Sequence, residues 1–291
     1  MRRLWWLALL LLPACASEPI KKVDLSALAD ADAQVLQGCY DCLLDARATY
    51  ERVGVAKARP MVIARLFETQ LLITLREREL AIDANASMAR ARELAKELPP
   101  LFDTRRYLAL VDLVPPGGMG TPRRESAAFY TVHESNRSAV NDELAWLKTA
   151  AGLREPARQY LSLAVDCAYI VRPGRPGPML GSTGDLWSSS IRAREVPSGA
   201  PPLVAYRISV CDDVARKGLE DVRAGVPRFA EAAFFLARLE VATAQMTGGG
   251  KAREDLAEAY ARFPTSSSVT YLTAHFSQLT GHCREALRYY D

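Results

Sequence analysis

From Leu25 onward, apolar residues recur at spacings of three and four, the period of an amphipathic helix. Leu43, Ala46, Tyr50 and Val53 form one such stripe. Between Met61 and Leu80 the apolar residues, among them Ile63, Phe67, Leu71 and Leu75, cover more than one side. That pattern predicts a helix with neighbours on both flanks. Asp24 is placed to cap a first helix starting near Leu25. Further helices are expected over 87–98, 104–114, 125–134, 139–151 and 156–170, with Pro99-Pro100, Gly152 and Pro156 as stops and starts. Pro227 opens another that runs to Thr247, and Gly248-Gly249-Gly250 makes a turn. Helices over 251–262 and 268–279 follow, separated by Pro264, and Glu285 to Tyr290 begin a last one. The one rival to an all-α reading is Val204 to Cys211 (V-A-Y-R-I-S-V-C), rich enough in β-branched residues to suggest a strand.

Two stretches interrupt the helical pattern. Pro115 to Pro122 reads as a short loop. Arg172 to Pro202 is a 31-residue segment with six prolines and five glycines. Its composition favours disorder or a loosely draped insertion, with Trp187 as its one residue suited to contact.

The N-terminus differs from everything after it. Arg2 and Arg3 precede an unbroken apolar run, Leu4 to Leu12, too short for the roughly 20 residues that a membrane span requires. Charge, short apolar run and small residues in that order fit an export signal, either a lipoprotein signal or a plain secretory one in which Cys15 is incidental. The next residues, Leu12-Pro13-Ala14-Cys15, resemble the lipobox of bacterial lipoproteins, with Pro13 departing from the commoner small residue. The resemblance implies a signal peptide over 1–14, cleavage before Cys15, lipid attachment at Cys15, and a polar tether over 15–24. More than one acyl chain would hold the rest as a soluble body on a membrane.

Loss of Arg2 and Arg3 leaves 35 basic against 34 acidic residues, which lacks the basic excess expected of a nucleic-acid binder. The chain is 49% hydrophobic and 24% charged, the balance of a globular protein.

Repetition is clearest over 203–291. Ala252-x-x-x-Leu256 and Ala286-x-x-x-Tyr290 are 34 residues apart, and Leu236, Leu239, Ala259 and Pro264 fall at matching small, apolar or closing positions. Here the chain resembles a tetratricopeptide-repeat protein, a family with that period. Thr243 and Ser277 depart from the pattern where an aromatic is expected, and the first helices align better at 35 residues. The region 25–171 resembles the family loosely, through Ala46-x-x-x-Tyr50. The expected fold is all-α: helix-turn-helix repeats stacked as a tetratricopeptide-like solenoid, with 172–202 inserted. In that register the last helix's third packing position falls at about residue 293. The reading therefore expects a fragment of a longer repeat protein or a partner completing this end. The alternative packs Leu287 and Tyr290 back on Phe276 and Leu279.

Cys39 and Cys42 stand at i and i+3, about 5 Å apart at Cα on a helix, within reach of a disulfide. An exported protein meets oxidising conditions, which favour that bond. A thioredoxin-like role would need a preceding strand. Cys167 with Cys211 is the candidate second bridge, buried free thiols being the alternative. With Cys15 lipidated, five cysteines remain, so one is free or paired outside the chain. No second cysteine or histidine pair completes a zinc set, so no metal or cofactor is expected. Thr247 to Ala252 fails as a phosphate loop, because Gln245 and Ala252 replace the required glycine and hydroxyl. His133, His275 and His282 converge with no nucleophile, so no catalytic residues are assigned. The function expected is a lipid-anchored scaffold for protein partners on the periplasmic side of the outer membrane. The alternative is a nutrient- or glycan-binding lipoprotein working with a transporter.

Overall fold

The structure is a computed structural model and describes residues 25–53, 59–114, 140–170, 196–211, 216–244 and 250–290. Every regular element among them is helical. In chain order these are α1 (Leu25–Gln37), α2 (Tyr40–Val53), α3 (Arg59–Glu79), α4 (Asn85–Glu97), α5 (Thr104–Leu113), α6 (140–149) and α7 (Glu155–Ile170). They continue as α8 (Pro202–Cys211), α9 (Arg216–Gly225), α10 (Ala230–Ala244), α11 (Gly250–Arg262), α12 (Ser267–Leu279) and α13 (Cys283–Tyr290). A one-turn 3-10 helix, Pro100–Phe102, joins α4 to α5. Cys15 and its tether, the helix expected over 125–134, the Pro115–Pro122 loop and Trp187 lie outside the described residues.

Consecutive helices pack on one another along the chain, and α3 is the hub, touching α2, α4, α5 and α7. Its apolar residues face several directions: Val62, Phe67, Leu71, Ile73 and Leu75 are all buried. Elements distant in the chain also pack together, among them α1 with α8 and α3 with α7. The α1–α8 contact depends on Gly38, which closes α1 at φ +70. A Cβ there would lie 2.5 Å from Leu203 Cβ and 2.7 Å from its Cα, so only glycine both takes this turn and admits α8.

The strand rival at 204–211 is resolved as helix α8. Leu203 to Val210 are buried without a break, including Arg207 and Ser209. A helix enclosed on all sides has no polar face, and its β-branched residues mimic a buried strand in the sequence. A second difference concerns Pro227. It lies in the turn between α9 and α10 rather than at a helix start, and α10 begins at Ala230. The sequence reading assigned no helix to Arg216–Gly225, where Leu219 and Val222 are the buried positions of α9.

One large apolar core runs through α1 to α12, and a smaller one gathers Ala237, Val241, Ala252, Leu256 and Phe276 between α10, α11 and α12. Ser266 caps α12, accepting from the Val269 N–H at 3.1 Å while donating to the Leu80 carbonyl after α3. That bond ties the C-terminal helices to the hub. Arg262 reaches Asp41 and Arg228 pairs with Asp45 at 2.9 Å, fixing the same helices to α2.

Candidate functional site

Three features of the molecule carry chemistry: the cysteine turn, a buried ionic cluster and the outer hairpin. The turn places Cys39 and Cys42 in a disulfide with Cα atoms 4.9 Å apart. Both residues are fully buried. An attacking thiolate cannot reach such a bond, which suits a brace better than a redox centre. Cys167 and Cys211 fall on α7 and α8, but their side chains lie outside the described residues. Cys283 is a free, exposed thiol at the start of α13.

The residues flanking the disulfide feed the ionic cluster. The Gly38 carbonyl accepts from Arg76 Nη2 at 2.8 Å, and the Tyr40 N–H donates to Glu231 Oε1 at 2.6 Å. Arg76 Nη1 donates to Glu79 Oε2 at 2.7 Å, and its Nε lies 3.4 Å from Glu231. Arg207 pairs with the other oxygen of Glu79, and the Tyr206 hydroxyl donates to Oε2 at 3.1 Å. Tyr206 also lies under the Arg76 guanidinium, 3.9 Å from ring centroid to Cζ, with Tyr160 at 5.1 Å on another side. Arg76, Glu79, Arg207, Glu231, Tyr160 and Tyr206 are each no more than 4% exposed.

The two carboxylates respond oppositely to this burial. Desolvation alone would raise Glu79, but Arg207 and Arg76 hold it below the ordinary carboxylate value. Glu231 is pushed up to about 7 by desolvation, which Arg76 only partly offsets. Its Oε2 has no hydrogen-bond partner among the described residues, so that oxygen's lost hydration goes uncompensated. Glu77, which accepts from the Tyr40 hydroxyl at 2.9 Å, is also raised by burial. Two guanidiniums and two carboxylates thus pair behind aromatic walls, with Glu79 held by both arginines and Glu231 only partly compensated. The arrangement clamps α2, α3, α8 and α10 together and presents no reacting group to solvent.

A second ionic group ties α7 to α3 and α1. Arg154 gives its backbone N–H and Nε to Glu68 at 2.7 and 2.6 Å, and its Nη1 reaches Asp32. Beside it lies a cavity of about 300 Å³ between Pro60, Met61 and Ala64 on one side and Phe102 on the other. Its charged lining residues are already paired, Glu68 with Arg154 and Arg65 with Asp32 at 3.3 Å. Among the described residues no group of histidine, cysteine and carboxylate side chains is arranged to hold a metal. His275 stacks on Tyr271, with centroids 6.1 Å apart, and the His282 ring sits 3.1 Å from the Thr280 hydroxyl.

The outer hairpin, α12 and α13, is built differently. Ala286 is buried, matching the buried Ala252 of α11 at the 34-residue offset. Leu256 is buried, whereas its counterpart Tyr290 is 48% exposed and leans on Tyr271, centroids 6.4 Å apart. Seven large hydrophobic side chains are exposed among the described residues, and four of them (Tyr271, Leu279, Leu287 and Tyr290) sit on this hairpin. Such clustering marks a contact surface more than scattered exposure does.

The sequence reading missed the ionic cluster altogether. Its signal was present: Arg207 interrupts V-A-Y-R-I-S-V, Glu231 interrupts F-A-E-A-A-F-F, and Arg76 to Glu79 close an apolar helix. Charges inside apolar runs are rarely buried unless paired, so such interruptions point to partners elsewhere in the chain. Compared with family models, curated proteins and solved structures, the chain matches none.

Proposed function

We propose that this chain is a lipid-anchored helical scaffold that binds other proteins, a binding protein rather than an enzyme. In this reading Cys15 carries the lipid, the body faces the periplasm from the outer membrane, and α10 to α13 are two tetratricopeptide-like hairpins. The observation carrying it is the concentration of exposed apolar side chains on α12 and α13, above a core locked by buried ion pairs. A rigid body with one apolar hairpin facing outward suits recognition of a protein surface. No described helix is long and apolar enough to cross a membrane, so anchoring would rest on the lipid.

The test is made in cells expressing the full chain. Palmitate labelling and membrane fractionation of wild type and Cys15→Ser are combined with crosslinking. The reading expects labelled, membrane-bound wild type crosslinked to a defined protein, and unlabelled, released Cys15→Ser. Unlabelled wild type would end the anchored reading, and absence of any defined crosslinked protein would end the scaffold reading.

A further inference from the structure

We propose that the α12–α13 face is the docking site for an amphipathic helix of another protein, whose apolar stripe is edged by aspartate or glutamate. This rests on the scaffold reading and gives it a site and a partner chemistry.

The face is continuous across two helices. Tyr271, His275 and Leu279 recur every four residues on α12, and Cys283, Leu287 and Tyr290 follow at four and three on α13, so each set forms one stripe. The short 280–282 turn folds the helices back on one another, and the Tyr271–Tyr290 contact joins the stripes at the far end. Leu287 at the centre is 61% exposed. A face of this length suits a helix that supplies anchors at i, i+3 or i+4, and i+7.

Charge selects among occupants. α12 carries no acidic or basic residue apart from His275. At 100° per residue, Arg284 and Arg288 lie on the flank of the α13 stripe away from α12. Both are exposed, and neither makes an ion pair among the described residues. The face therefore has one positive edge and one neutral edge. A second copy is a poor occupant. Packed antiparallel about a two-fold axis it would set arginine edge against arginine edge, and packed parallel it would set arginines against uncharged α12. An acid-edged helix buries the same leucine and tyrosines and neutralises Arg284 and Arg288.

The test uses the purified full chain and two synthetic peptides of about 18 residues with the same leucine stripe, one edged by glutamate and one by lysine. Anisotropy titrations at low salt should show the glutamate peptide binding about ten-fold tighter or better. The same peptide should slow alkylation of Cys283 by about five-fold, since the thiol sits inside the covered stripe. Leu287→Asp should abolish both effects, and Arg284→Glu with Arg288→Glu should reverse the preference between peptides. All these positions are exposed, so circular dichroism should show the variants folded. Equal affinity for the two peptides, binding by neither, or binding indifferent to Leu287→Asp would overturn the proposal. So would a concentration-dependent dimer that Leu287→Asp dissociates, which would assign the face to a second copy. If the peptide tests fail while the crosslinked cellular partner persists, the scaffold reading stands and its interface lies elsewhere.

Discussion

The α3–α8–α10 junction and the α12–α13 hairpin invert each other's composition. At the junction four charged side chains are withdrawn from water, each answered by another charge, a carbonyl or an aromatic face. On the hairpin leucines and tyrosines are left in water beside Arg284 and Arg288, which make no ion pair among the described residues. Both arrangements carry an energetic cost, and the costs do different work. Buried pairing is strong only when complete, so it holds helices in one relative placement. Exposed apolar surface gains nothing until something covers it.

The comparison breaks most sharply at Arg76. Removing it leaves Glu231 without its counter-charge, held by the Tyr40 N–H, and takes one of the two arginines from Glu79, so Arg76→Met should cost about 3–5 kcal/mol, read from urea unfolding. Adding Glu231→Gln should recover part of that loss, a coupling that a double-mutant cycle would measure. A loss under about 1 kcal/mol would show that the junction is not the clamp described.

Next in size is a pH effect from Glu231. Its folded value, pushed up to about 7, lies above the ordinary 4.5 of the unfolded chain, so the folded state binds the extra proton between those values. Stability from this group is present below about pH 4.5 and is lost as pH rises through 7, on the order of 3 kcal/mol. Glu77 acts in the same direction, whereas Glu79, held low, contributes stability that is lost only in acid. Denaturation at pH 5 and pH 8 should show wild type weaker at pH 8 and Glu231→Gln with much of that difference removed.

The disulfide comes third. It closes a four-residue loop, for which the chain-entropy model gives about 2 kcal/mol. Cys39→Ala with Cys42→Ala should lose about that much in urea unfolding, because Gly38 and Tyr40 still bond to Arg76 and Glu231. In denatured, unreduced wild type these two positions should resist thiol labelling. The smallest effect belongs to the hairpin. Leu287→Asp should change stability by no more than about 0.5 kcal/mol, since its side chain is mostly in water.

Helix positions were legible because periodicity is local. The stripes at Leu43, Ala46 and Tyr50 and at Ala252, Leu256 and Ala259 are buried as their spacing predicts. Reading was ambiguous where burial was complete and missed a helix that was short. In α8, where a strand was the rival to the all-α reading, enclosure removed the polar face that defines helical period. In α9 two buried residues, Leu219 and Val222, were too few to stand out. The ionic junction was half legible. The interrupted apolar runs mark Arg207 and Glu231 as charges that need partners, but the partners are brought together by the packing of α8 on Gly38 and α10 on α2, which no local pattern encodes. The hairpin's exposed stripe follows from the same spacing that predicted its helix; what the sequence left open was which side water would see.

Amide hydrogen exchange on the full chain, with and without the glutamate-edged peptide, tests most directly whether the molecule divides into a locked junction and a receptive hairpin. The account predicts that amides of α3 and α8 exchange only through global unfolding in either condition, and that peptide binding adds protection confined to α12 and α13. Fast local exchange in α3 and α8, or added protection spread across the junction while the hairpin is unchanged, would contradict it.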